Sequence, residues 1–184
     1  MKKFITLIAM IVLAAGLHAQ KEVTKFLGIP VDGTKSEMIQ KLKAKGFTYH
    51  QKDDLLEGEF NGEKVFIAVQ TNNNKVWRIA VVDQTSRNEA QIRIRFNNLL
   101  SQFENNSKYA SHESNAMLED DENINYGITV KKKQYEADFI QKQADGSINM
   151  NNVVWFTISC ISYNEYAIVL YYENHNNKAN GDDL

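Results

Sequence analysis

The chain has 184 residues, of which 21 are basic and 23 acidic, for a net charge of −2 with histidines neutral. With Lys131-Lys132-Lys133 as its single basic run, it lacks the concentrated positive patch that phosphate neutralisation needs, and nucleic acid is excluded as an expected main partner. Cys160 is the lone cysteine, which excludes an internal disulfide and leaves an apolar core to hold the fold.

Met1-Lys2-Lys3, the apolar run from Phe4 to Leu17 and the small-residue end His18-Ala19-Gln20 make the charged start, greasy middle and cleavable end of a secretory signal over residues 1–19. The run is shorter than the roughly 20 residues that cross a bilayer. The expected product starts at Gln20, is periplasmic or secreted, and has no stable membrane insertion after cleavage. Loss of the two signal lysines leaves 19 basic residues (21 − 2) against 23 acidic, a net charge of −4.

Thr34-Lys35-Ser36-Glu37 has the spacing of a capping box, so a helix is predicted to start there. Met38, Ile39 and Leu42 give it one apolar face, and Gly46 can take the left-handed conformation that stops it. Phe47 opens a strand. Leu56 to Phe60 alternates apolar or small residues with Glu57 and Glu59, the period of a half-buried strand. Asn61-Gly62 then suits a hairpin turn into a strand from Lys64 to Gln70, and Asn72-Asn73-Asn74 turns the chain into another from Val76 to Asp83.

The same order follows a second time. Ser86-Arg87-Asn88-Glu89 reads as another capping box, and Ile92, Phe96, Leu99, Leu100 and Phe103 form the apolar stripe of a longer helix. A polar, acidic stretch from Ser107 to Asn125 separates it from strands predicted at Tyr126 to Lys132, Tyr135 to Lys142, Val153 to Cys160 and Tyr166 to Glu173. Asp145-Gly146-Ser147 makes a longer turn, and Cys160 reads as a small buried hydrophobe within its apolar strand. Phe66, Asn74, Val76, Ile79 and Asp83 recur 90 residues later as Phe156, Asn164, Tyr166, Val169 and Glu173, while Phe47 and the Leu56 to Phe60 segment match Tyr126 and Tyr135 to Phe139 at a spacing of 79. The expected fold is therefore α+β, with two tandem helix-plus-four-stranded antiparallel sheet repeats at 20–84 and 85–173 and a flexible tail at 174–184.

If Leu56, Gly58 and Phe60 point inward, Glu57 and Glu59 point outward, as do Glu136 and Asp138 in the second copy. Arg78 is the polar intruder in its strand, which places Val76, Arg78, Ala80 and Val82 opposite the helix, and the repeat then adds Tyr166, Ile168, Leu170 and Tyr172 to that face. A face mixing Arg, Tyr, aliphatics and carboxylates suits a protein interface. It equally suits a sheet face half-buried by packing of the two halves.

The carboxylate pairs read as solubility features of wet strand faces rather than an acid and base. Glu119-Asp120-Asp121-Glu122 lacks the spaced ligands and glycine of a calcium loop, and His50, His112 and His175 have no zinc spacing. No phosphate loop or nucleophile elbow is present. No cofactor, metal or local catalytic motif is expected, although a site assembled from distant residues stays open.

Helix plus four-stranded antiparallel sheet, twice in tandem from about Phe26 to Glu173, resembles the architecture of β-lactamase inhibitor proteins and of small PepSY-like envelope domains. The inhibitors contain internal disulfides, which this chain cannot form. The opening Phe26-Leu27-Gly28-Ile29-Pro30-Val31-Asp32-Gly33, with Ala19-Gln20 before it, is similar to secreted proteins of Bacteroides-type bacteria, a likeness that implies no activity. Together these point to a non-enzymatic binding protein that engages a protein or peptide. Tyr166 and Tyr172 would be its anchors, Arg78 a polar contact, and Glu57, Glu59, Glu136 and Asp138 a rim that steers a basic partner. The alternative is an envelope carrier of a small ligand or lipid held between helices and sheet.

Overall fold

Alternation along eight antiparallel strands decides which side of one large sheet each residue occupies, and two bulges shift that alternation at decisive places. The computed structural model describes residues 22–179; the expected signal and the last residues of the tail lie outside the described residues. The chain opens with a two-stranded hairpin, β1 (Lys25–Phe26) and β2 (Ile29–Pro30). Helix α1 (Lys35–Ala44) follows, then β3 (Thr48–His50), β4 (Leu55–Phe60), β5 (Glu63–Asn72) and β6 (Lys75–Asp83). Beyond α2 (Glu89–Glu104) come β7 (Tyr109–Ser111), a short α3 (Ile124–Thr129), β8 (Glu136–Gln141), β9 (Asn152–Ser162) and β10 (Glu165–Asn174). The fold is α+β, and the large sheet runs β3-β4-β5-β6-β10-β9-β8-β7.

Both long helices pack on the same face. Thr34 and Glu37 close the capping box of α1 as the spacing requires, whereas α2 is capped by Asn88 with Gln91, two residues later than the Ser86 box. Met38, Ile39 and Leu42 of α1 and Ile92, Phe96, Leu99, Leu100 and Phe103 of α2 are buried. They meet Leu56, Val65, Ile67, Val69, Ile79, Val81, Ala137, Phe139, Val154, Phe156, Ile158 and Leu170 from the inward strand positions in one continuous core.

The expected strand at Tyr126 to Lys132 is instead helix α3, and the edge strand beside β8 is β7, drawn from the polar stretch after α2. Asn123 accepts from the Tyr126 amide to start α3. Gly127 is needed because a Cβ there would overlap the Tyr135 hydroxyl. The stretch from Ser107 to Asn125 is held by two side-chain amides that imitate backbone pairing. Asn115 donates to the Asp138 carbonyl and accepts from the Asp138 amide, at 2.7 and 2.9 Å, which caps the sheet edge. Asn97 does the same for Leu118 at 2.9 and 2.8 Å.

The start of the expected tail is also anchored. Asn174 ends β10 buried and donates to the Val31 carbonyl, and Asn177 donates to Asp32 and to the Val76 carbonyl. Cys160 is exposed rather than buried, beside the Ile161 bulge near the end of β9.

At the β6 and β10 turns the 90-residue correspondence holds: Asn74 and Asn164 both have positive φ, and Val76 and Tyr166 are both fully buried. Down the strands it fails. The first hairpin carries its extra residue on β6, at Trp77, between the Gln70–Arg78 and Thr71–Val76 pairs. The second carries it on β9, at Ile161. Each bulge shifts one strand by a residue, so Phe66 is on the open face where Phe156 is in the core, and Ile79 is in the core where Val169 is not.

At the junction of β6 with α2, buried Asp83 accepts from Arg87 at 3.0 Å and from Arg95 at 3.0 and 3.3 Å, while Glu63 accepts from Arg87 at 2.6 Å. Asp83→Ala leaves two largely buried guanidinium groups short of a carboxylate, and the expected loss, measured by urea unfolding, is about 3 kcal/mol.

Candidate functional site

Among the described residues neither long helix packs on the second face of the sheet, whose centre is built by β6, β10 and β9. Antiparallel pairing sets Tyr171 opposite Ala80 and Trp155, and Glu173 opposite Arg78 and Val153. The bulge at Trp77 lets both Trp77 and Arg78 stand on this face. The guanidinium carbon of Arg78 lies 4.1 Å from the Trp77 ring centre, 4.8 Å from that of Tyr171 and 5.9 Å from that of Trp155. Trp155 and Tyr171 stack at 4.2 Å. A cation enclosed by three rings is held by their quadrupoles as well as by its own hydrogen bonds.

Glu173 is the anion of this cluster, and its side chain is only 3 % exposed. One of its oxygens accepts from Arg78 Nε at 2.7 Å and from the Trp155 indole at 2.9 Å, and the other contacts His175 Nε2 at 2.6 Å. Burial pushes its carboxyl up, but the bonds from His175 and Trp155 and the charge of Arg78 outweigh that and hold it down to about 2. Phe66, Val82, Val153 and Val169 extend the apolar surface around the cluster, with Phe66 exposed and the valines half-buried.

The residues expected as a site divide between the two faces. Arg78 is at the centre of the open face, half-buried. Glu57, Glu59, Glu136 and Asp138 occupy outward positions toward its flanks, as alternation requires. Glu57 is half-buried between His50 at 2.9 Å and Gln84 at 3.2 Å, and Glu59 and Glu136 are exposed. Burial pushes the Asp138 carboxyl up, His112 opposes this and the Glu173 charge adds to it.

Tyr166 and Tyr172 are not on this face. They are 0 % and 5 % exposed, on the helix side with Ile168 and Leu170. The expectation that they share a face with Arg78 fails because β6 gains a residue at Trp77 and β10 does not, so only Val76 and Tyr166 correspond.

Trp77, Trp155, Tyr171, Glu173 and His175 join the cluster instead. The signal that could have found them is composition: the chain has only two tryptophans, and each interrupts a strand whose other parity already supplies the core.

No protein-family model, curated protein or solved structure matches the chain. Among the described residues, no helix is long and apolar enough to cross a membrane, and no group of three His, Cys, Asp or Glu side chains is placed to hold a metal ion.

Glu173 ties the cluster to acid stability. Its folded carboxyl lies below its ordinary value of 4.5, so its contribution is full above pH 4.5 and is lost as pH falls toward 2. Glu173→Gln is expected to flatten the acid limb of unfolding free energy between about pH 4.5 and 2 by on the order of 3 kcal/mol, measured by urea titration at each pH. Equal acid limbs in the two proteins would contradict the assignment.

Proposed function

We propose that this chain is a secreted or periplasmic, non-enzymatic binding protein that engages a protein or peptide with the open face of its sheet. The observation that carries the reading is the Trp77, Arg78, Trp155 and Tyr171 cluster at the centre of that face. Trp, Tyr and Arg supply most anchor energy at interfaces, particularly where they are central and already ordered. Arg78 is fixed by Glu173 before any partner arrives, which lowers the entropy cost of ordering it on binding.

The partner proposed is a basic segment. Glu57, Glu59 and Glu136 flank the aromatic centre, Asp138 lies nearer to it, and Lys64 is the basic residue among the outward positions of β5. Such a rim would steer a basic chain toward the apolar middle and weaken in salt. Occlusion or scaffolding, the mode implied by the resemblance to β-lactamase inhibitor proteins, belongs to the same proposal, as does the derivation of the two halves from one repeated unit.

Selection of peptides from a displayed random library against the purified protein tests this reading. Lys- and Arg-rich peptides are expected, with affinity reduced roughly tenfold or more by Tyr171→Ala or Trp155→Ala and unchanged by Ile94→Ala on the exposed side of α2. Peptides without a charge bias, or peptides bound equally well by the open-face variants, would remove the basis for it.

A further inference from the structure

We infer that the open face holds a subsite for one arginine side chain of the partner, formed by the Asp138 carboxylate and the second side of the Trp155 ring. This rests on the reading of that face as a binding surface, and it names the group the surface selects. Asp138 and Trp155 are direct cross-strand partners in the β8–β9 ladder, both at outward positions. Side chains so placed start about 5 Å apart.

The two sides of the Trp155 ring differ. Tyr171 stacks on one side at 4.2 Å, and the indole N–H donates to Glu173 at 2.9 Å, so the ring orientation is fixed. Tyr171 comes from β10, on one flank of β9, which turns the other side of the indole toward β8 on the opposite flank. Among the described residues Tyr171 is the one ring stacked on Trp155, and the one cation near it, Arg78 at 5.9 Å, is committed to Glu173 at 2.7 Å.

Asp138 stands beside that second side with its backbone held and its charge unanswered. Asn115 pairs with the Asp138 backbone at 2.7 and 2.9 Å, and among the described residues none donates a hydrogen bond to its carboxylate. Glu57 and Glu173, in contrast, are bonded to His50 and Gln84 and to Arg78, Trp155 and His175. Burial pushes the Asp138 carboxyl up, with His112 opposing and Glu173 adding to the shift, so the charge has lost water without gaining a bonded cation. Half-buried Ile140, two residues along on the same face, borders the space with an apolar side chain.

A guanidinium fits a ring beside a carboxylate. It is planar and weakly hydrated, stacks on an indole by its face, and donates two N–H groups from its edge to one carboxylate. An ammonium is a compact, strongly hydrated charge that must give up more water to enter the same space. Glu136 lies on the same face but is exposed and opposite Thr157, so it offers charge without a ring.

The test measures fluorescence anisotropy of fluorescein-labelled hexa-arginine and hexa-lysine, peptides of equal charge, with the purified protein. Hexa-arginine is expected to bind roughly tenfold more tightly, a comparison that needs no variant. Asp138→Asn is expected to weaken hexa-arginine roughly tenfold and erase the preference, with an unchanged melting curve. Glu136→Gln removes the same charge from the rim and is expected to weaken both peptides equally, by about twofold. Equal affinity for the two peptides, with both lost on Tyr171→Ala, would overturn the arginine subsite and leave the open face as the binding surface. A preference for arginine that survives Asp138→Asn would overturn the subsite as well. If neither peptide binds, or if Tyr171→Ala binds both as the unaltered protein does, the reading of the open face fails and the subsite with it.

Discussion

The antiparallel pairing of β6 with β10 is the contact on which the rest of the molecule depends. It joins the four strands of the large sheet that precede α2 to the four that follow it, and its register runs from Val82–Val169 to Arg78–Glu173. A slip of one residue would turn one of the two strands over, carrying either Ile79 and Val81 or Leu170 and Tyr172 out of the core and bringing Ala80 and Val82, or Val169 and Tyr171, in. The same slip would separate Arg78 from Glu173. Core and candidate site are therefore specified by one register, and the two interactions reinforce each other: the apolar side supplies the driving force, and the ion pair penalises the wrong alignment.

The ends of the described chain converge on that pair. The Thr24 hydroxyl donates to the Glu173 carbonyl, Asn174 reaches the Val31 carbonyl, and Asn177 reaches Asp32 and the Val76 carbonyl while its own carbonyl accepts from Asn72 at 3.1 Å. These bonds close the ladder next to Trp77 and Arg78, where the bulge has removed regular pairing. A bulge bends its strand and loosens the local ladder. Here the lost pairing is replaced by side-chain amides from the chain ends, which keeps the aromatic cluster ordered at a place where a sheet would otherwise fray.

Local chemistry was legible in the sequence and face assignment was only partly so. The α1 capping box, the Asn61-Gly62 turn and the alternation of Leu56 to Phe60 act within a few residues, and each forms as its spacing implies. Arg78 and the four carboxylates fell on the correct face because a single strand parity decides them. Tyr166 and Tyr172 were misplaced because the face was carried across 90 residues, and two bulges on opposite hairpin strands intervene. A bulge adds no distinctive residue type when it is built from Trp-Arg or Cys-Ile, so period-two counting continues through it unaware. The α3 helix was hidden for another reason: its start depends on the Asn123 cap and its packing on Gly127 beneath Tyr135, a tertiary contact that outweighs the strand propensity of Tyr126, Ile128 and Val130.

An antiparallel sheet with one covered face ordinarily alternates apolar inward with polar outward. This sheet obeys that rule toward its β3–β4 side, where the outward positions include Thr48, His50, Glu57 and Glu59, and breaks it toward the centre, where they include Phe66, Trp77, Ala80, Val82, Trp155, Val169 and Tyr171. The break is not a demand of the fold, since the helices already supply a core on the other side. Nor does the buried Arg78–Glu173 pair give a stability reason, because replacing such a pair by apolar groups of similar volume is often neutral or stabilising. Apolar at its centre and held by charge-assisted bonds, the cluster is the observation on which the proposed binding role rests.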